Sequence, residues 1–259
     1  MSDVPGAVRY EREGPAGRIT FDRPHARNAM TWAMYDQLEA ALESVDADND
    51  VRVVVMRGAG GTFVAGTDIA QFASFSTADD GVNYERRLDA LVERLERIRV
   101  PTMAVIDGTA AGGGLALAAA CDLRVCTPRA TFGVPIARTV GNCLSVANTA
   151  RLQARIGVAR TTAMLLTARM MSAEEALAAG FVIEVVPSDA IDDYSRDVCE
   201  RIASLAPITL IVAKEALRRV TGAPAPEGDD LLRQAYDSED FHEGVRAFLE
   251  KRAPVWKGR

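Results

Sequence analysis

Histidine and cysteine are scarce in this chain of 259 residues, with two histidines (His25 and His242) and four cysteines at positions 121, 126, 143 and 199. The cysteines form no CxxC pair, so a zinc site of ordinary ligand spacing is not expected and no metal is assigned. Free thiols in a reducing compartment are expected instead, which gives a cytoplasmic address. No stretch approaches the ~18 consecutive apolar residues of a membrane helix. The segment from Met1 to Gly14 is polar and mixed in charge, without the cationic-then-apolar order of a secretory signal. A basic surplus is also missing, because 36 acidic residues against 30 basic ones leave a net charge of -6. Nothing in that balance would neutralise a nucleic-acid backbone, and any phosphate-bearing ligand must find a local cluster of Arg or Lys.

What the chain has in quantity is apolar residues, 48% of the total, arranged in short alternating units. Val8 to Phe21, with Gly14, Pro15 and Gly17 inside it, reads as a hairpin. Thr31 stands where an N-cap belongs, ahead of Met34, Leu38, Leu42 and Val45 at helical spacing. The β-branched run Val51 to Met56 reads as a buried strand entering the glycine-rich loop after Arg57. Val82 to Ile98 is an amphipathic helix, Thr102 to Ile106 a strand, and Ala111 to Ala120 a buried helix. Leu123 to Cys126 and Ala130 to Phe132 read as short strands, followed by helices over 144–156 and 159–166. Ser172 caps a helix ended by Gly180, Phe181 to Val186 is a strand, and the chain is helical from Ser188 onward. The pattern predicts an α/β core over residues 1–195 and a helical extension over 196–259 that needs a partner subunit to cover it.

Two glycine turns carry the chemical signal. One is Phe63-Val64-Ala65-Gly66-Thr67-Asp68-Ile69, and the other is Ala110-Ala111-Gly112-Gly113-Gly114-Leu115 at the mouth of the buried helix. Neither has the Lys-Ser/Thr of a phosphate loop nor the G-x-G-x-x-G spacing of a dinucleotide site. Three glycines before a helix expose free N–H groups at its positive end, where a developing oxyanion is stabilised. Tight turns and close helix packing would account for the same glycines.

With their flanks, the first turn resembles the F-x-A-G-x-D-[IL] block of the crotonase (enoyl-CoA hydratase/isomerase) family and the second its A-x-G-G-G block. Arg23-Pro24 through Asn28-Ala29-Met30 is similar to that family's R-P-x-x-x-N-[AS]-[LM]. Ser172-Ala173-Glu174-Glu175-Ala176 with Gly180-Phe181-Val182, and Glu243-Gly244 through Lys251-Arg252, resemble two later blocks in the same order. The resemblance implies a spiral of ββα units, a C-terminal helical region that makes trimers or a hexamer of paired trimers, and an acyl-CoA thioester substrate with no further cofactor. It implies an oxyanion hole from the backbone amides of Thr67 and Gly113. It places CoA against Arg27, Ala65, Gly66, Asp68 and Ile69, with Lys251 and Lys257 reaching its phosphates from a neighbouring subunit.

The resemblance breaks where the family's hydratases carry two glutamates, since Ala116 and Ile136 occupy those positions and neither transfers a proton. Asp89, on the amphipathic helix, is a substitute base by position or else part of that helix's solvated face. Arg138 is either an anchor for a substrate carboxylate or a structural ion pair, and Asn142 either orients a carbonyl or water or serves a turn. Cys143 and Ser145 have no histidine base in view, which disfavours a covalent nucleophile. Asp68 reads as a cap for its own turn. An acyl-CoA decarboxylase, isomerase, thioester hydrolase or non-catalytic acyl-CoA binder remains open on the same scaffold.

Overall fold

The computed structural model describes residues 6–221 and 229–255. The chain opens with the expected hairpin, β1 (Ala7–Glu13) and β2 (Ala16–Asp22), followed by α1 (Trp32–Ala47), whose first turn is capped by the Thr31 hydroxyl accepting from the Met34 N–H. β3 (Val53–Gly58) leads through two 3-10 turns into α2 (Ala78–Glu96). That helix starts four residues before the predicted Val82, because a capping box between Thr77 and Asp80 satisfies its first amides. Then come β4 (Thr102–Ile106), β5 (Thr109–Ala111), α3 (Gly113–Ala120), β6 (Leu123–Cys126), β7 (Thr131–Gly133) and α4 (Ile136–Thr139). α5 (Val146–Ile156), α6 (Val158–Thr167), β8 (Met170–Ser172), α7 (Ala173–Ala178) and β9 (Glu184–Val185) follow. Four helices close the chain: α8 (Ile191–Ser204), α9 (Pro207–Thr221), α10 (Asp229–Tyr236) and α11 (Glu239–Leu249).

Two sheets organise these elements. The larger has the order β1-β2-β3-β4-β6-β9, parallel apart from the hairpin, and the smaller is β5-β7-β8. Three times the chain passes from the large sheet to the small one and then to a helix: β4 to β5 to α3, β6 to β7 to α4, and β3 to α2 through a single bridge pairing Val64 with Ala110. The central strands are buried on both faces, which is why they read as unbroken apolar runs. Val53, Val55, Met103 and Val105 face a cluster shared with Ile191 and Val198 of α8, whereas Val54, Met56, Ala104 and Ile106 face the main core.

Two further element bounds differ from the sequence expectation. Ala111 belongs to β5 and not to the helix, and the two-residue β9 replaces the strand expected over Phe181–Val186. That strand is short because it is an edge, pairing only Glu184 and Val185 with β6, while Phe181 turns into the core against Phe132. The expected division after residue 195 falls inside α8. Tyr236, Phe241 and Val245 of the last two helices sit in the main core, with Tyr236 and Phe241 fully buried.

Candidate active site

The two glycine turns meet at the N-terminal end of α3. Met30 holds the first: the Gly66 carbonyl accepts from the Met30 N–H (2.8 Å) and the Asp68 N–H donates to the Met30 carbonyl (2.9 Å), so the Thr67 N–H between them points to the other side. Gly66 sits at φ 115° and Gly112 at φ 51°, ψ -122°, conformations closed to most side chains. The loops are stitched by the Ala111 N–H to the Val64 carbonyl (3.0 Å) and the Val64 N–H to the Thr109 carbonyl (3.2 Å). A Cβ on Gly114 would lie 2.1 Å from the Val64 carbonyl oxygen, so only glycine lets α3 dock this close. Gly113 is the first residue of α3, and its N–H is one of the amides a helix leaves without an internal partner. Neither the Thr67 nor the Gly113 amide has an acceptor among the described residues.

Side chains brace the first loop from behind. Buried Asn28, at φ 56°, donates from its amide to the carbonyls of Thr62 (2.7 Å) and Ala59 (2.9 Å) and accepts from the Arg23 N–H (2.8 Å). Arg23 pairs with Asp68 at 2.7 Å, and the same carboxylate caps Ala70, the role expected of it. The Thr67 hydroxyl lies 2.6 Å from the Tyr35 hydroxyl and 2.7 Å from that of Tyr84. The sequence pattern points to the Thr67 amide alone and gives no sign of either tyrosine. Burial pushes the Tyr35 phenol up to about 12 and raises Tyr84 as well, so both stay protonated near neutral pH.

A cavity opens in front of the two amides, with Ala65, Gly66, Thr67 and Ile69 from one loop and Gly112 and Gly113 from the other on its wall. Tyr84, Glu85 and Leu88 of α2 form a second side, and Val134 to Leu144 contributes a third through residues including Ile136, Thr139, Asn142 and Cys143. Ile136 therefore presents a hydrocarbon surface to the cavity, while Ala116 is buried within α3 and does not line it. The Cys143 thiol is pushed up to about 12, chiefly by burial and further by the nearby Glu85 charge, which leaves it a poor nucleophile.

Asp89, the expected base, does not line the cavity. Its Oδ1 accepts from the Ser145 hydroxyl and from the Asn148 side-chain amide, both at 2.7 Å, and so ties α2 to the start of α5. One helical turn earlier, Glu85 does line it. Glu85 is 2% exposed, its Oε1 accepts from the Tyr236 hydroxyl at 2.9 Å, and its Oε2 has no hydrogen-bond partner among the described residues. Burial pushes this carboxyl up to about 8, with the Tyr236 bond opposing the rise, the nearby Asp89 adding to it, and the Ser145 N–H opposing it from close by without the geometry of a hydrogen bond. It is the one carboxyl among the described residues on the cavity wall.

The other sequence candidates divide. Asn142 reaches the cavity, donating to the Tyr236 hydroxyl (3.3 Å) and keeping an unpartnered buried Oδ1. Arg138 is exposed on α4 and absent from the wall, because the helix turns it outward while Ile136 and Thr139 face in; it anchors nothing in this cavity. Arg27 is exposed, and its carbonyl accepts from the Ala65 N–H at 3.1 Å beside the cavity. Lys251 is exposed just beyond α11, at φ 55°, and Lys257 lies outside the described residues.

Comparison with known proteins agrees with this architecture. The family model for enoyl-CoA hydratase/isomerase matches residues 11–259. A probable enoyl-CoA hydratase, echA8, of Mycobacterium tuberculosis (strain CDC 1551 / Oshkosh) is 33% identical over 256 residues, which cover 97% of this chain and 98% of the relative. A solved enoyl-CoA hydratase/carnithine racemase from Magnetospirillum magneticum superposes with a TM-score of 0.80 at 32% identity, covering 98% of this chain and 96% of the other. Methylmalonyl-CoA decarboxylase in complex with 2-nitronate-propionyl-CoA gives a TM-score of 0.88 at 26% identity, over 98% and 99% of the two chains. The chain belongs to the enoyl-CoA hydratase/isomerase family and has the crotonase-type α/β fold.

Proposed function

We propose that this enoyl-CoA hydratase/isomerase family member is an acyl-CoA-processing enzyme that holds a thioester carbonyl against the amides of Thr67 and Gly113 and stabilises the enolate formed there. The observation that carries the reading is the pair of unpartnered N–H groups, from two loops stitched together, on one cavity wall. Breaking a C–H bond at Cα leaves its electron pair delocalised onto the thioester oxygen, and two preorganised donors lower the cost of that charge. The positive end of α3, to which Gly113 belongs, adds to the effect. Removal of one such donor typically costs about 10²–10³ in rate.

In this reading the CoA strand runs past the backbone of Ala65, Gly66, Asp68 and Ile69. Arg27, Lys251 and Lys257 meet its phosphates, the last two from a neighbouring copy in a trimer or hexamer. Each Lys→Ala variant should then raise KM for acyl-CoA without changing kcat. Metal and redox cofactors have no place in the proposed step, which the thioester and protein groups complete. Hydration of crotonyl-CoA is expected to be weak, because Ile136 and Ala116 offer no acid or base.

The test is exchange of the α-protons of butyryl-CoA in D2O, read by mass spectrometry. It reports enolate formation whatever the final product. Deuterium incorporation above the buffer rate supports the reading, and none with butyryl-CoA demonstrably bound overturns it. Decarboxylation of a malonyl-type CoA is a second reading, favoured by the likeness to methylmalonyl-CoA decarboxylase. Arg138, the carboxylate anchor expected for that reading, is exposed and lies off the cavity wall, which weighs against it.

A further inference from the structure

We propose that Glu85 is the proton-transfer residue of this site and that Tyr236 positions it. The proposal rests on the enolate reading above.

Glu85 satisfies three requirements independently. It stands on the cavity wall with the two amides, one of its oxygens is held by Tyr236, and the other is buried and without a partner. An unpartnered buried oxygen on a carboxyl is costly unless a ligand meets it. The Tyr236 hydroxyl is itself oriented, accepting from the Asn142 amide while donating to Glu85. Its ring is seated over Gly81 of α2, where a Cβ would come within 2.0 Å of it. A glycine in a helix interior costs about 0.5–1 kcal/mol, and here it makes room for the ring that orients the acid.

Glu85 is the one carboxyl among the described residues on this wall, and the neighbouring Tyr84 is held protonated by burial. Glu85 as carboxylate takes the proton from Cα. The C–H electrons pass into an enolate whose oxygen is held by Thr67 and Gly113. Return of a proton from Glu85 to Cα re-forms the C–H bond and the carbonyl, and Glu85 ends ionised.

The raised pKa suits this role, because a carboxylate with pKa about 8 is a stronger base than an ordinary one. Beyond burial, the groups that shift it are Tyr236 on α10 and the Ser145 N–H, which lower it, and Asp89 on its own helix, which raises it; Tyr35, Tyr84 and Cys143 are raised in turn by its charge. Tyr236 favours the anion, so its loss should push Glu85 higher.

The experiment uses the full chain with butyryl-CoA in D2O, comparing α-proton exchange by wild type, Glu85→Gln and Tyr236→Phe from pH 6 to 9.5. Wild-type exchange is expected to rise through about pH 8. Glu85→Gln should lose at least a hundredfold in exchange while binding butyryl-CoA normally. Tyr236→Phe should shift the rising limb to higher pH and recover the wild-type rate at its plateau, which a purely structural role would not do. Exchange that persists in Glu85→Gln overturns the proposal and leaves the enolate reading standing. Absence of exchange in every form overturns the enolate reading itself.

Discussion

Glu85 and Asp89 stand one turn apart on α2 in opposite chemical settings. Asp89 has two donors on one oxygen, from Ser145 and Asn148, and does not reach the cavity. Glu85 has one donor on Oε1, an unpartnered Oε2 and a place on the cavity wall. A shift of four residues thus separates a carboxyl that fastens helices from one free to meet a ligand.

Asp89→Ala should therefore act on stability. It strands the Ser145 hydroxyl and the Asn148 amide at the start of α5, at a cost of about 1–3 kcal/mol. Denaturant unfolding should show the lower midpoint, and turnover per folded molecule should stay within about threefold of wild type. A hundredfold loss of turnover at unchanged stability would restore Asp89 as the base.

Glu85→Gln makes a stability prediction of unusual sign. A carboxyl raised from 4.5 to about 8 binds more protons folded than unfolded between those values. Stability therefore falls as pH rises from about 5 to 8. The glutamine carries no charge to bury, so the variant should lose that slope and, at pH 8, unfold at a higher denaturant concentration than wild type. An identical pH dependence in both proteins would contradict the buried-acid assignment.

Gly114→Ala tests the alignment of the two loops. The added methyl collides with the Val64 carbonyl, a backbone atom that cannot swing aside. The end of α3 must retreat and carry the Gly113 amide with it. An order of 10²-fold loss in kcat/KM is expected, with circular dichroism confirming that the variant folds. Retained activity would mean that the docking distance does not matter.

Thr67→Val keeps the amide and the branched shape while removing the hydroxyl that meets Tyr35 and Tyr84. Two buried phenols lose a partner, so stability should drop by about 1–3 kcal/mol. Because the backbone donor remains, kcat should fall less than for Gly114→Ala. Parallel thermal melts and initial rates on the two variants would show that order or reverse it.

The backbone half of the site was legible in the sequence because glycine geometry is local. Gly66, Gly112 and Gly114 are required by dihedral angles and contacts within two short turns, and those turns are contiguous in the chain. The acid was not legible, since what distinguishes Glu85 from Asp89 is the packing of α10, about 150 residues away in the chain, onto α2. One signal was available: Glu85 lies three residues before Leu88 and seven before Val92, on the apolar stripe of its helix, where a carboxyl is out of place. The place of Arg138 was not legible because α4 is a single turn, too short to show a period, that sends Ile136 and Arg138 to different sides. β5 and β8 escaped notice at three residues each, too short for any alternation to register.

The central claim is that the amides of Thr67 and Gly113 polarise a thioester carbonyl. Difference infrared spectroscopy of butyryl-CoA labelled with 13C at the thioester carbonyl, free and bound, reads that bond directly. Two hydrogen bonds to the oxygen weaken the C=O bond, so the account predicts a stretch at lower frequency when bound, with part of the shift lost in Gly114→Ala. A bound carbonyl absorbing at the same frequency as in water would contradict it.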